Sequence, residues 1–321
     1  RGLAENILTK SDSSIQALYA AFTLSLSNKS FFEPPTDCAD FFYNKLMAEP
    51  ALKPLHGTMT RNFAATLMDD SQQALNRLMR SDFREIPIPK LPQTIARYAP
   101  FPRQLEKAAE LLGSDHYMYA DLQARKHWFE GFLEHPVYSN SHNVTTARKA
   151  IEHYHNALRW QPDLPLACWS LSYIYPVVGR SDSAAYFAFK AQQRAPRWLL
   201  AYDRIFEVYW IHYGQGEKAL PYLETAKQLD STWVWLWIDF GHAYESIGLY
   251  DKAEAMFLKA ISLDSTYYMT YQRLGDLYFY KLNKPLKAES LWQKALSIEP
   301  NDPQTLLSVA NVRKDSDNQQ A

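Results

Sequence analysis

The sequence predicts an all-α fold, an α-solenoid of antiparallel helix pairs. Three observations lead there. A phrase recurs at a fixed distance: Gln228-Leu229-Asp230-Ser231-Thr232-Trp233 returns 34 residues later as Ser262-Leu263-Asp264-Ser265-Thr266-Tyr267. A fixed period of this length marks stacked supersecondary units. Each copy is followed by the same order of large, small and aromatic residues. These are Trp237, Phe240, Gly241, Tyr244, Ala253, Phe257 and Ala260, then Tyr271, Leu274, Gly275, Tyr278, Ala288, Trp292, Ala295 and Pro300. Finally, only 10 glycines occur in 321 residues, which argues against a turn-rich β fold and against glycine-loop phosphate sites.

The elements follow in chain order. Residues 11–27 read as a helix with Ile15, Leu18, Tyr19, Phe22, Leu24 and Leu26 on a broad apolar face, capped by Ser11 or Asp12. Phe31-Phe32-Glu33-Pro34-Pro35 stops it. A second helix spans about 37–48, and a third begins beyond Pro54 with Leu55, Met59, Phe63, Ala64 and Leu67. A fourth covers 71–80 with Ala74, Leu75 and Leu78. Residues 1–81 are thus expected to form two repeat-like pairs, although Thr60 and Arg61 fall where Leu and Gly are wanted. Pro87, Pro89, Pro92, Pro100 and Pro102 make 82–102 a connector or small cap, with one helical turn around 94–98.

Residues 103–112 resume as a helix, stopped by Gly113, and a longer helix covers about 116–134. Its partner, 145–160, carries Ala150, Tyr154 and Ala157; the loop 135–143 between them is an insertion. The phase then holds. Cys168, Leu171, Ser172 and Tyr175 precede Ala184, Ala188 and Ala191; Tyr202, Ile205, Phe206 and Tyr209 precede Ala219, Leu223 and Ala226. Gly179, Gly214 or Gly216, and Gly248 end the first helices of three pairs. Asp251 with Glu254 reads as a capping box, and Asn283-Lys284-Pro285 makes the last such turn with one residue added. Phe206 stands where a small residue is expected, so its ring should push the helices apart or swing outward. A last helix, 302–313, caps the array, and 314–321 is a polar tail.

The period and anchors resemble the tetratricopeptide repeat. The resemblance implies four repeats over about 116–300 within an array of 103–321, wound as a right-handed superhelix, and a general role in holding another protein. Its ligand-facing positions lie on the first helix of each pair. By phase they are Leu166, Trp169 and Tyr173; Asp203, Glu207 and Trp210; Trp235, Ile238, His242 and Glu245; and Gln272, Asp276 and Phe279. This surface is aromatic and acidic. The Lys and Asn of the family's carboxylate clamp for chaperone tails are absent, so an extended peptide with apolar and basic residues is expected instead.

A second resemblance covers Cys38–Leu46, Pro54–Ala65, Gln72–Asn76, Ala108–Gly113 and Phe129–Gly131. These segments are similar to the region following the peptidase domain in bacterial caspase-like proteins that end in tetratricopeptide repeats. It implies an upstream catalytic domain, consistent with a start lacking Met, and it places no catalytic residue on this chain.

Lys+Arg is 34 and Asp+Glu 35, so no global charge draws the chain to nucleic acid, and no apolar run is long enough to span a membrane. The basic residues Arg77, Arg80, Arg84, Lys90, Arg97 and Arg103 are relieved by Asp82 and Glu85 and read as a solvated face. Cys38 and Cys168 sit in no CxxC and read as buried thiols. His153 and His155 lie on different helix faces, and His116, His127, His135 and His142 read as surface or structural. No metal, cofactor or small-molecule substrate is indicated. The functional expectation is a non-enzymatic, cytoplasmic interaction scaffold that takes its partner on the concave face, within a larger bacterial protein. The alternatives are a regulatory or substrate-recruiting part of a caspase-like peptidase, and a structural homo-oligomer.

Overall fold

The computed structural model describes residues 2–80, 91–135 and 144–320. The described residues form seventeen α-helices with short 3₁₀ and π segments and no strand. They divide into two compact units, Arg1–Val178 and Gly179–Ala321. The fold is an α-solenoid of antiparallel helix pairs.

The first unit contains α1 (Gly2–Thr9), α2 (Ser13–Ser27), α3 (Ala39–Met47), α4 (Lys53–Met79), α5 (Leu91–Tyr98), α6 (Phe101–Leu112), α7 (Tyr119–Leu133), α8 (Val144–Trp160) and α9 (Pro165–Ile174). Of the two expected caps for α2 it is Asp12, whose carboxylate accepts from the Ser14 N–H at 2.9 Å. The expected third and fourth helices are one. In α4 the buried stripe Leu55, Met59, Phe63, Leu67, Ser71, Ala74, Leu75 and Leu78 runs through without a break. Ser71 was read as a helix start. Instead its hydroxyl donates to the Met68 carbonyl at 2.8 Å, so it satisfies itself inside the helix and presents a small buried surface.

The expected boundary at 82–102 does not divide the molecule. Residues 81–90 lie outside the described residues. Beyond them α5 is a full two-turn helix rather than a single turn, and Tyr98 at its end packs on Phe101, Phe129 and Phe132 with centroids 5.2–5.4 Å apart. Further on, α6 lies against α4, Lys107 Nζ reaches Asp40 at 2.7 Å, and the Arg103 guanidinium sits 4.2 Å above the Phe32 ring. Residues 1–81 therefore share one compact unit with the helices after Pro100. The expected insertion loop lies outside the described residues, apart from its first residue, His135.

The second unit contains α10 (Ser181–Arg194), α11 (Leu199–Glu207), α12 (Leu220–Leu229), α13 (Val234–Ser246), α14 (Tyr250–Leu263), α15 (Tyr268–Tyr280), α16 (Pro285–Ile298) and α17 (Pro303–Gln320). Within this unit α11/α12, α13/α14 and α15/α16 are consecutive helix pairs.

The duplicated phrase makes the same turn twice. Asp230 accepts from the Thr232 N–H at 2.8 Å and the Thr232 hydroxyl at 2.6 Å, and Asp264 does the same with Thr266 at 2.8 and 2.6 Å. The helix-ending glycine of the third pair is Gly214, at φ 61°; Gly216 is instead buried in a 3₁₀ turn. Asn283 takes the left-handed position in the last pair, at φ 51°. The capping box is not formed. Asp251 already lies in the first turn of α14, and Glu254 accepts from the Tyr278 hydroxyl at 2.7 Å. At the end, Asp302 caps α17 by accepting from the Thr305 N–H at 2.8 Å, and the helix continues through the expected tail to Gln320.

Helix pairing in the second unit rests on a volume trade. In α13 a Cβ on Gly241 would lie 2.5 Å from the Phe257 ring of α14, and one on Gly275 of α15 would lie 2.6 Å from Trp292 of α16. The missing side chain on one helix is the space the ring of the other occupies, so Phe257 and Trp292 are fully buried. Phe206 does not swing outward. It is buried, and α11 ends one residue later, giving way to a π segment at Val208–His212 and a 3₁₀ turn at Gly216–Ala219. Phe206 stacks on Trp210 at 5.7 Å and lies against Gly216, so the buried ring coincides with a change of backbone form rather than with an outward rotamer.

Candidate partner-binding face

In the first unit, α9 carries Leu166, Trp169 and Tyr173. Leu166 and Trp169 are 3% and 7% exposed, so they are core, and Trp169 sits edge-on to the half-buried Tyr173 at 4.8 Å. Trp169 belongs to packing rather than to an open surface.

In the second unit the phase positions fall on α11 and the π segment after it, α13 and α15. Asp203, Ile238, His242 and Gln272 are buried, whereas Glu207, Trp210, Trp235, Glu245, Asp276 and Phe279 are half-buried. The accessible row is therefore narrower than phase alone indicates.

Beneath it lies a group that sequence phase missed. Asp239 is one residue beyond the phase position at Ile238, and it meets Asp203 of the preceding first helix. Both carboxyls are more than nine-tenths buried and lie close enough to interact electrostatically. Burial, followed by the repulsion of neighbouring carboxylates, pushes both well above the usual carboxylate range. The raised values favour the protonated form, so the pair adds less charge to the face than its count of acids indicates. Arg204 is buried beside them and donates to Glu207 Oε2 at 2.9 Å.

His242 is stacked on the Trp210 ring, with centroids 4.3 Å apart and planes 17° apart, and its Nδ1 lies 3.5 Å from Glu245 Oε2. Burial lowers its pKa, which keeps the imidazole neutral at pH 7. Asp276 accepts from Trp292 Nε1 at 3.0 Å, and burial raises its pKa to about 6. Phe279 packs on the same indole at 5.5 Å. Trp235 leans on Tyr267 at 5.2 Å, and the buried Tyr267 hydroxyl has no hydrogen-bond partner among the described residues.

Both thiols are buried, Cys38 at 2% and Cys168 at 0% exposure. Among the described residues a cluster with metal-ligand composition comprises His127, Glu130 and His153, in the first unit. No helix among the described residues is long and apolar enough to cross a membrane.

Residues 236–267, which include most of α13 and all of α14, match the tetratricopeptide repeat family model. No curated protein matches the chain. Among solved structures, a thermophilic tetratricopeptide repeat protein of Thermus thermophilus is 24% identical over 59% of this chain and 98% of its own, with a TM-score of 0.50. A tetratricopeptide repeat protein of Parabacteroides merdae is 14% identical over 79% of this chain and 87% of its own, with a TM-score of 0.53. The turn duplicated at Asp230 and Asp264, the Gly241–Phe257 and Gly275–Trp292 contacts, and these matches agree: the chain carries tetratricopeptide repeats, and its fold is that of the tetratricopeptide repeat superfamily.

Proposed function

We propose that the chain is a non-enzymatic protein-interaction scaffold whose second unit binds an extended peptide bearing apolar and basic side chains. The observation that carries this reading is the half-buried row Glu207, Trp210, Trp235, Glu245, Asp276 and Phe279 on α11, the π segment that follows it, α13 and α15. Rings held in place by stacking offer contact area at small entropic cost, since His242 already fixes Trp210 and Tyr267 supports Trp235. Glu207 and Glu245 supply the charge that favours a basic partner. The buried Asp203–Asp239 pair underlies the face without adding its full charge.

Fluorescence anisotropy with labelled peptides alternating Arg or Lys with aliphatic residues tests this reading, using the acidic counterparts as controls. Binding of the basic peptides should weaken about 10-fold or more in Trp210→Ala and Trp235→Ala, each a loss of the 1–2 kcal/mol order typical of anchor residues. Glu207→Lys with Glu245→Lys should abolish it. Equal binding of basic and acidic peptides, or indifference to the charge reversal, would overturn the reading. Trp169→Ala is not a test of the face, because it empties a core position. The peptidase-associated context implied by Cys38–Gly131 is a separate proposal, which a catalytic His/Cys domain encoded upstream of Arg1 would support.

A further inference from the structure

Three side chains in the first unit come together from two helices. His127 and Glu130 stand one turn apart on α7, and His153 projects from α8. A single carboxylate oxygen, Glu130 Oε2, lies 2.7 Å from His127 Nδ1 and 3.0 Å from His153 Nδ1. The two imidazoles are 6.1 Å apart between centroids with planes 34° apart. One donor atom from each residue falls in a group no more than 4.8 Å across.

We propose that His127, Glu130 and His153 form a binding site for a divalent transition-metal ion of the zinc class that bridges α7 and α8.

The donor chemistry is that of a three-ligand zinc site, two imidazoles and one carboxylate. Zinc–ligand bonds of about 2.0–2.2 Å place tetrahedral donors roughly 3.3–3.6 Å apart, so small side-chain rotations open the observed spacing to the required one. An acidic residue and a histidine at i, i+3 on one helix, completed by a residue of the facing helix, is how helical bundles build metal sites.

The backbone supplies the placement. Gly131, next to Glu130, lacks the Cβ that would lie 2.7 Å from the ring of Tyr154, next to His153. The two helices thus make a close approach beside the three donors. The side chains are 21–32% exposed, which leaves a path for the ion. A cleft of about 450 Å³ adjoins His127 and is lined also by Asn156, Arg159 and Trp160. It offers room for a water as fourth ligand.

Two cations lie nearby. The Lys126 ammonium is 3.9 Å from the other oxygen of Glu130 and is bound by Glu106, and Arg159 donates to Asn156. Neither occupies the shared oxygen. The neighbouring His155 is engaged elsewhere, 2.7 Å from the Tyr175 hydroxyl.

The test uses the full chain, stripped with chelator and titrated with zinc chloride by calorimetry, with His127→Gln, Glu130→Gln and His153→Gln beside it and His116→Gln as control. One equivalent should bind to the wild type and to the control. Each ligand variant should bind at least about 100-fold more weakly, since even loss of a supporting outer partner costs 10–100-fold. Zinc should also raise the wild-type melting temperature, because it binds the folded state selectively. Cobalt, read on the wild type alone, should show the visible bands of a tetrahedral nitrogen–oxygen site without a sulfur charge-transfer band. Affinity unchanged in the three variants, no zinc binding at millimolar concentration, or a cobalt spectrum with sulfur character would each overturn the proposal and leave a side-chain cluster only.

Discussion

Within the second unit, the pairs α13/α14 and α15/α16 differ from α11/α12 in one respect that explains the rest. The first two place glycine opposite a ring, Gly241 against Phe257 and Gly275 against Trp292, and their helices are regular. In the third, repeat phase matches the small position to Phe206 and the ring position to Leu223, and both are buried. There the first helix stops at Glu207, a π segment follows, and a 3₁₀ turn precedes the second helix. The difference teaches that the crossing of a helix pair is governed by a summed volume. When one side exceeds its share, a close-packed interior cannot absorb the excess and the backbone changes hydrogen-bond register.

The largest expected effect breaks the regular side of that comparison. Trp292→Ala removes the ring that fills the space over Gly275 and should cost about 3–5 kcal/mol in urea denaturation. Gly275→Ala and Gly241→Ala attack the same contact from the other helix. Each should cost about 1–3 kcal/mol by overpacking against an indole or phenyl ring that has no room to retreat, again read from the denaturation midpoint.

A pH titration probes the pair that joins the irregular repeat to the regular one. In the unfolded chain Asp203 and Asp239 ionise near pH 4. In the folded unit their raised pKa values keep a proton bound above that pH. The folded state therefore binds more protons than the unfolded one. The stability contributed by the pair is complete below about pH 4 and is lost as pH rises toward the folded pKa, with a slope of at most about 1.4 kcal/mol per pH unit per proton. Asp239→Asn should flatten that slope, as measured by urea denaturation across pH 4–7.

The smallest effect sharpens the comparison. Phe206→Ala and Leu223→Phe together restore the small-opposite-ring pattern. The double variant should be more stable than the sum of the single losses predicts, by about 1 kcal/mol, a coupling expected only for residues sharing one packed space. Strict additivity would mean that the π segment has another cause.

Much of this was legible beforehand. The 34-residue period, the small residues at Gly241 and Gly275, and the left-handed turns at Gly214, Gly248 and Asn283 are local signals, each tied to a backbone or packing need. Ser71 was misread because a serine that starts a helix and one that bonds back within it look the same in sequence. Asp239 escaped because phase assigns faces to an ideal helix, and the residue beside the expected one turned toward Asp203. The phase positions fall on the segments of the proposed face. They did not separate the buried Asp203 and His242 from the half-buried Trp210 and Glu245, since that depends on how far each neighbouring helix overlaps.

By itself, the sequence determined the helical class, the repeat period and the turns, because these follow from contacts within a few residues and from the volumes of side chains at fixed spacing. Only the tertiary structure decided that residues 1–81 share a unit with the helices after Pro100. It also decided that the buried Phe206 sits beside a change of helix type, that two aspartates are buried together, and that His127, Glu130 and His153 converge. Those outcomes depend on distances between side chains of different helices, and no periodicity along one chain encodes them.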